Sequence, residues 1–372
     1  MDVFLRTWDL GFIAFGGPPV HFQILHGRFV EGQGGKEKWV DEQTYQELFA
    51  ICQGFIPAML VFFIWSLPGA IGMYALSLGV QNMNETLPKP VYSLLSGLNA
   101  STVGIVALAA VQLAEKAIRD KLSRILVIFG AFDATRPTQS AEALSQQHII
   151  RIRVGVLVTG LFFASFIGIL VARGQLTTPP LALDLFANMY LAGTVIFGGG
   201  PVVIPLLRSY VVDPGWVSSR DFLIGLAIIQ AFPGPNFNFA VFLGALALQH
   251  SRFPTIFGAV LGGLGIFFPG ITLAVAIQSF WRVLRKKKYV IDFLRGVNAT
   301  AVGLVFTAVY RLWEIGYLTP ERSDGQSLGK NPWWLVVAAV TYAESAWFNV
   351  PPAMAIIMGA ILGLCWFGAM GG

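Results

Sequence analysis

Phe197-Gly198-Gly199-Gly200-Pro201-Val202-Val203, or FGGGPVV, places three glycines and a proline inside a long apolar segment. A similar stretch, Phe15-Gly16-Gly17-Pro18-Pro19-Val20, or FGGPPV, lies about 180 residues earlier. Glycine and proline interrupt helices, so each stretch predicts a discontinuous helix. Pro18 and Pro201 suit the first turn of the half-helix that follows each break. The exposed N–H groups and the positive helix end at such a break suit an anion.

The composition around these stretches is that of a multi-pass helical membrane protein. Of 372 residues, 55% are hydrophobic and 12% are charged, about half the charged fraction of a soluble domain. Several apolar runs approach the roughly 20 residues that cross a bilayer as a helix. We expect an all-α protein of the plasma membrane with about 9–11 membrane segments, at residues 4–20, 47–80, 92–114, 150–172, 184–207, 222–248, 254–281, 296–314, 333–348 and 351–370.

The net charge of +5 comes from basic residues in short loops. Such residues set membrane orientation and give no sign of nucleic-acid binding. The runs 115–124 and 282–295 predict the cytoplasmic face. Cys52 and Cys365 stand alone in apolar surroundings, so we expect buried thiols and no metal site.

An internal repeat organises the chain. Three pairs of segments match in order, beginning with Gln53-Gly54-Phe55 and Gln230-Ala231-Phe232. Pro68-Gly69 matches Pro269-Gly270, and the segment 95–104, LSGLNASTVG, matches 294–303, LRGVNATAVG. Four ordered matches, counting the glycine motif, indicate duplication. We expect a first repeat over 1–132, a polar linker with a connecting membrane helix over 133–180, and a second repeat over 181–372.

The basic loops predict that the two repeats are inverted. One basic loop follows the first GxNA segment, whereas the other precedes the second. The cytoplasmic ends of corresponding helices are therefore opposite, which is the sign of inverted-topology repeats.

FGGPPVHF, FGGGPVVIP, QAFPGPNF and the paired GxNA segments together resemble the chromate ion transporter family in its two-domain, long-chain form. The resemblance covers nearly the whole chain. It implies two antiparallel halves and a carrier that exports chromate, driven by the membrane potential or an ion gradient. Sulfate, of the same shape and charge, is the natural competitor. The expected partners are an oxyanion and membrane lipid, with a homo-oligomer left open, and no cofactor is expected.

The first repeat departs from the family pattern. Gln230 and Pro269 are 39 residues apart, but Gln53 and Pro68 are only 15 apart. The 24 missing residues equal about one membrane span. In addition, between Arg124 and the polar linker the first repeat has only the apolar run 125–132, about 12 Å long as a helix. We therefore also consider a truncated or mis-spliced family member that does not transport, and a passive anion channel. The sequence has no nucleophile, phosphate-loop or metal-ligand motif in a suitable context, so it gives no indication of an enzyme.

The glycine breaks give the first candidate substrate site, formed by Gly16, Gly17, Pro18, Gly198, Gly199, Gly200 and Pro201. The alternative is that the glycines permit close helix packing and the prolines make simple kinks. A second candidate is the stretch 230–239, QAFPGPNFNF, with Gln230, Pro233, Gly234, Pro235 and Asn236; Gln53 is its first-repeat counterpart. Here the alternative is a kink whose freed carbonyls the amides satisfy.

Other polar residues inside the apolar segments are also candidates. Asn99 and Asn298 could donate to an anion or form interhelical hydrogen bonds. Arg6 and Arg208 could supply positive potential or extend to the membrane interface. Glu344 could couple transport to proton movement or be held by nearby hydroxyls.

Overall fold

The structure is a computed structural model that describes residues 7–9, 32, 55–83, 87–117, 152–177, 179–195, 200–229, 232–284 and 287–370. Eleven α-helices lie in these ranges. They are α1 (Phe55–Gln81), α2 (Lys89–Ala117), α3 (Ile152–Gln175), α4 (Leu181–Val195), α5 (Gly200–Val211), α6 (Ser219–Ile229), α7 (Phe239–Ala247), α8 (Thr255–Leu284), α9 (Lys288–Ile315), α10 (Pro332–Trp347) and α11 (Pro352–Met370).

Five of these helices are long and apolar enough to cross a membrane: α1, α2, α3, α8 and α11. This confirms the predicted all-α membrane fold within the described residues. Pro68 and Pro269 lie inside α1 and α8 without ending either helix, because neighbouring helices support a proline within a bilayer.

The segment after α9 is a β-hairpin of β1 (Tyr317–Thr319) and β2 (Arg322–Gln326), followed by a 3-10 turn, Leu328–Lys330. The prediction for Cys365 was wrong: it was expected to be buried and is an exposed free thiol. α11 turns its small residues toward α2, so the side of the helix that carries Cys365 faces outward.

The helix ends define two faces of the molecule. The basic face is where α8 ends and α9 begins, beside the run 282–295. The opposite face carries the β-hairpin that follows α9. The Leu318 N–H donates to the Ser96 hydroxyl at 3.0 Å, so α9 ends beside the first turns of α2. The two GxNA helices pack together and run in opposite directions, as inverted repeats require.

Two helical hairpins start at the opposite face and extend only part of the way across. The first is formed by α4, which ends at Val195, and α5, which begins at Gly200; the second is α6 and α7, joined through the 3-10 turn Asn236–Asn238. α6 has 11 residues and α7 has nine, so these helices are only about 14–16 Å long. Every residue of α7 is buried.

The second hairpin explains what the first repeat lacks. Between Gln230 and Pro269, α7 runs toward the opposite face and the first half of α8 returns to mid-depth. α1 keeps 13 residues before Pro68, close to the 14 residues of α8 before Pro269. The 24 extra residues of the second repeat therefore lie mainly in the 3-10 turn, α7 and the loop to α8, and do not form the single full span predicted from their number.

Candidate functional site

The second hairpin packs against α5, the second arm of the first hairpin. α5 contacts both the 3-10 turn Asn236–Asn238 and α7. α5 begins at Gly200 with Pro201 in its first turn, which confirms the predicted start of the half-helix after the glycine break. Because α5 ends at the opposite face, its amino end, with the positive end of its dipole, lies about 18 Å deep.

The Pro233-Gly234-Pro235 loop packs against the middle of α1. Gly234 has φ = +92°, a conformation that favours glycine, and a Cβ there would lie 2.9 Å from the Trp65 carbonyl oxygen. On α1, a Cβ at Gly69 would be 2.6 Å from the Asn238 amide nitrogen and still closer to the Pro233 carbonyl oxygen. The loop therefore fits against α1 only because glycines stand on both sides of the contact.

Asn238 fixes this contact and is completely buried. Its Oδ1 accepts from the Ser66 hydroxyl at 2.8 Å, and its Nδ2 donates to the Ser66 carbonyl at 2.9 Å. This amide therefore fastens the second hairpin to α1 and pairs with groups of Ser66, not with carbonyls freed at the Pro-Gly-Pro break. The partner residue, Ser66, could have been suggested by its position two residues before Pro68.

Gly69 of α1 and Gly270 of α8, which match each other in the internal repeat, have different surroundings. Gly69 is packed against the second hairpin, whereas Gly270 is exposed and a Cβ there would meet no atom within 4 Å. The motif that Gly69 holds, Pro-Gly-Pro, is Ile56-Pro57-Ala58 in the first repeat. In the described structure, the loop contact is therefore present on one side of the pseudo-symmetry only.

Asn99 is the most isolated polar group among the candidates. Its residue is 4% exposed, and neither amide atom has a hydrogen-bond partner among the described residues. Ser101 of the same helix bonds Thr341 of α10, and two residues correspond to about 200° of helix rotation. Asn99 therefore points away from α10, toward the side of α2 where α6 and α9 pack.

Arg208 lies in the last turn of α5 and lines a cavity of about 280 Å³ at the opposite face. Arg311, Asp213 and Glu314 also line it. The Arg208 Nε is buried without a hydrogen-bond partner among the described groups. Two guanidinium groups and two carboxylates give this cavity no net charge, so it resembles a polar vestibule more than a strong anion trap.

Glu344 is 9% exposed in α10, and its Oε1 has no hydrogen-bond partner in the described part of the chain. The neighbouring Ser345 hydroxyl is also unpaired there. The expected alternative, a carboxyl held by nearby hydroxyls, is therefore not seen at Oε1.

A polar network that sequence reasoning missed joins α3, α4 and α5 at the opposite face. Arg173 forms a 2.7 Å ion pair with Asp184 and donates to the Asn188 Oδ1 at 2.7 Å. The Asn188 Nδ2 donates to the Tyr210 carbonyl at 3.0 Å. These bonds tie the two arms of the first hairpin together near its base. The acidic and amide residues four apart at the start of α4 could have indicated this.

Several predicted site residues lie outside the described residues: Arg6, Gly16, Gly17, Pro18, Gln53, Gly198, Gly199 and Gln230. The side chains of Pro201 and Asn298 are also outside the described part, although both residues are helical.

Comparison with known proteins agrees with this architecture. The chromate transporter family profile matches residues 1–55, 53–176 and 183–364. The first two matches are separate and overlap at residues 53–55, beside the predicted gap in the first repeat. No solved structure matches the chain.

Three relatives cover most of the chain. A chromate transport protein of Pseudomonas aeruginosa is 23% identical over 397 residues, covering 96% of this chain and 90% of the relative. A probable chromate transport protein of Synechococcus elongatus is 26% identical, covering 95% and 92%. An uncharacterized transporter of Methanocaldococcus jannaschii is 22% identical, covering 84% of each chain.

The first of these alignments is longer than the 372 residues of this chain, so that relative has residues where this chain has none. The family profile matches nearly the whole length, and the relatives are named as transport proteins. With its membrane-spanning helices, paired hairpins and antiparallel GxNA helices, the chain belongs to the chromate transporter family.

Proposed function

We propose that this protein exports chromate across the plasma membrane, driven by the membrane potential or an ion gradient. Two observations carry the proposal: α5, whose amino end lies near mid-depth, contacts the second hairpin, and the buried Asn99 amide of α2 has no partner among the described residues. A dianion leaves water only where donors and positive potential replace its hydration shell. The proposed donors are the N–H groups at the two breaks and the Asn99 amide.

The second repeat supplies most of this proposed site. Gly198, Gly199, Gly200 and Pro201 form its first break, and Gln230, Pro233, Gly234, Pro235 and Asn236 form its second. The first-repeat residues Gly16, Gly17, Pro18 and Gln53 would contribute from the basic face, since the repeats are inverted. Asn99 and Asn298 would line the path between the halves, with Arg6 and Arg208 nearer its ends.

Glu344 is proposed as the coupling group. A buried carboxyl without a partner at one oxygen can take up and release a proton at modest cost, which suits proton coupling. Glu344→Gln then removes dependence on the proton gradient while leaving exchange of chromate across the membrane intact. Retained proton dependence would assign coupling to another group.

Everted membrane vesicles test the proposal. Accumulation of labelled chromate that collapses with an ionophore is expected for a driven exporter. Flux that stops at equal concentrations would indicate a passive channel, and no flux would indicate a member that has lost transport. Sulfate added in excess measures selectivity between the two oxyanions.

Two variants test the glycine breaks directly. Gly17→Leu and Gly199→Leu should each abolish flux while membrane insertion stays normal, because a bulky side chain blocks close approach to the backbone. Unchanged flux in both variants would refute the assignment of these breaks as the substrate site.

A further inference from the structure

We infer that the cavity between the ends of α5 and α9 is a release site for the oxyanion, where Glu314 competes with the bound ion for Arg311. The inference rests on the proposed export and adds a second site to its path. The cavity has a volume of about 280 Å³ and lies at the face opposite the basic loops. It is called the outer vestibule here, and a tetrahedral oxyanion fits in it together with some of its hydration water.

Two guanidinium groups line the outer vestibule from different helices. Arg208 is three residues before the end of α5, and Arg311 is four residues before the end of α9, so each lies about 4–6 Å inside its helix end. α5 and α9 pack against each other, and both arginines contribute to the same cavity wall. The planar fork of N–H donors on a guanidinium matches the oxygens of an oxyanion, so an ion in the vestibule can bind from two sides.

Arg208 is the group that gains most from a bound anion. Its Nε is buried and has no hydrogen-bond partner among the described residues. A buried N–H without an acceptor has lost its hydration and gained nothing in return. An arginine that only extends to the membrane interface keeps its charged end in water, so burial of this Nε favours the ligand role over that alternative. An oxyanion oxygen in the vestibule supplies the missing acceptor.

The two carboxylates of the vestibule limit how tightly an ion is held. Asp213 follows the end of α5 and Glu314 is in the last turn of α9, so both lie closer to the outside than the arginines. The Arg311 Nη1 donates to the Glu314 Oε2 at 3.3 Å, and the two side chains are 59% and 37% exposed. An ion pair this long and exposed is weak.

A weak pair between Arg311 and Glu314 suits release of the substrate. A dianion that arrives in the vestibule can take Arg311 from Glu314, and Glu314 can recover the arginine as the ion leaves. A site on a transport path must bind strongly enough to receive an ion and weakly enough to let it go. The absence of net charge in the vestibule, which makes it a poor trap, is therefore what a release site needs.

The chemistry of the vestibule favours a free oxyanion over the phosphate of a lipid headgroup. Both ligands present tetrahedral oxygens to the arginines. A phospholipid also needs an apolar groove beside the headgroup site for its acyl chains. Among the described residues that line the vestibule, only Leu312 and Ile315 are apolar. A small ion that brings no chains fits this lining better.

Counterflow in everted vesicles tests the release site, because the vestibule then faces the lumen. Uptake of labelled chromate is measured against the concentration of unlabelled chromate loaded inside. Arg208→Gln should raise the half-saturating lumenal concentration about tenfold, the loss expected for a buried charged hydrogen bond. Arg311→Gln should raise it about threefold, because this arginine is more exposed.

Glu314→Gln gives the sharpest result, because it should lower the half-saturating lumenal concentration by about threefold. A carboxylate that served only to stabilise the end of α9 would change the melting temperature and leave this concentration unaltered. The matched control is Arg322→Gln, an exposed arginine of β2 at the same face that does not line the vestibule; it should behave as the parent chain. Unchanged values in both arginine variants, or a rise in Glu314→Gln, would overturn the release site.

Two further arms separate the remaining outcomes. A half-saturating concentration that rises with the fraction of anionic lipid in the parent chain, but not in Arg311→Gln, would identify a lipid phosphate as the occupant and overturn the inference. A parent chain without any chromate flux would refute the proposed export. In that case equilibrium dialysis of labelled chromate against the purified protein still tests the vestibule: weaker binding to Arg208→Gln than to Arg322→Gln supports it, and equal binding refutes it.

Discussion

Gly69 and Gly270 allow a matched pair of substitutions at pseudo-equivalent positions. An alanine at Gly69 places its Cβ 2.6 Å from the Asn238 amide and closer still to the Pro233 carbonyl. The loop must therefore move by most of an ångström to restore ordinary contact. Overpacking of this kind costs about 1–3 kcal/mol, which corresponds to about a 5–150-fold change in an equilibrium constant. Gly270→Ala meets open space and carries no such penalty.

The assay is chromate uptake into everted vesicles, normalised to the amount of inserted protein, together with thermal unfolding in detergent. Gly69→Ala should lower both the melting temperature and the uptake rate, whereas Gly270→Ala should match the parent chain. Equal effects at the two positions would show that the packing of the Pro-Gly-Pro loop on α1 does not distinguish the repeats. A stable Gly69→Ala with full uptake would refute the role of the contact altogether.

Three further predictions concern side chains. Asn99→Ala should raise the KM for chromate about tenfold or more without lowering the melting temperature, because the Asn99 amide has no protein partner in the described structure. Asn82→Ala, at the exposed end of α1, is the control. Asn238→Ala should cost about 1–3 kcal/mol of stability, because it leaves buried groups on α1 unpaired. Arg173→Gln should loosen the first hairpin and increase proteolysis near its base, and Asp184→Asn should give the same pattern; a difference between them would argue against a shared ion pair.

The positions of the helix breaks could be predicted from the sequence, whereas the packing of the helices around those breaks could not. The Pro233-Gly234-Pro235 break and the start of α5 at Gly200 follow from local rules for proline and glycine, which hold whatever the surroundings. The packing of the half-length helices α6 and α7 on α1 depends on contacts between residues far apart in the sequence. Ser66 and Asn238, for example, are separated by 172 positions. Local pattern carries no information about such contacts.

The candidate site divides in the same way. Asn99 was predicted from its place in an apolar segment, but only the structure shows that neither of its amide atoms has a partner among the described residues. Asn238, which lies in the second candidate stretch, proves to be a packing residue. The Arg173 network was missed because an arginine near a helix end is usually explained by the membrane interface alone.

The short helix α7 has a consequence for how the length of such a chain can vary. α1 and α8 are both long enough to cross a membrane, and α1 keeps 13 residues before Pro68 against 14 before Pro269 in α8. The extra residues of the second repeat therefore add the nine-residue α7 and its connections, and a helix of about 14 Å is too short to cross a bilayer. A change of length at this position alters how the interior of one repeat is filled, while a crossing helix stands in both repeats.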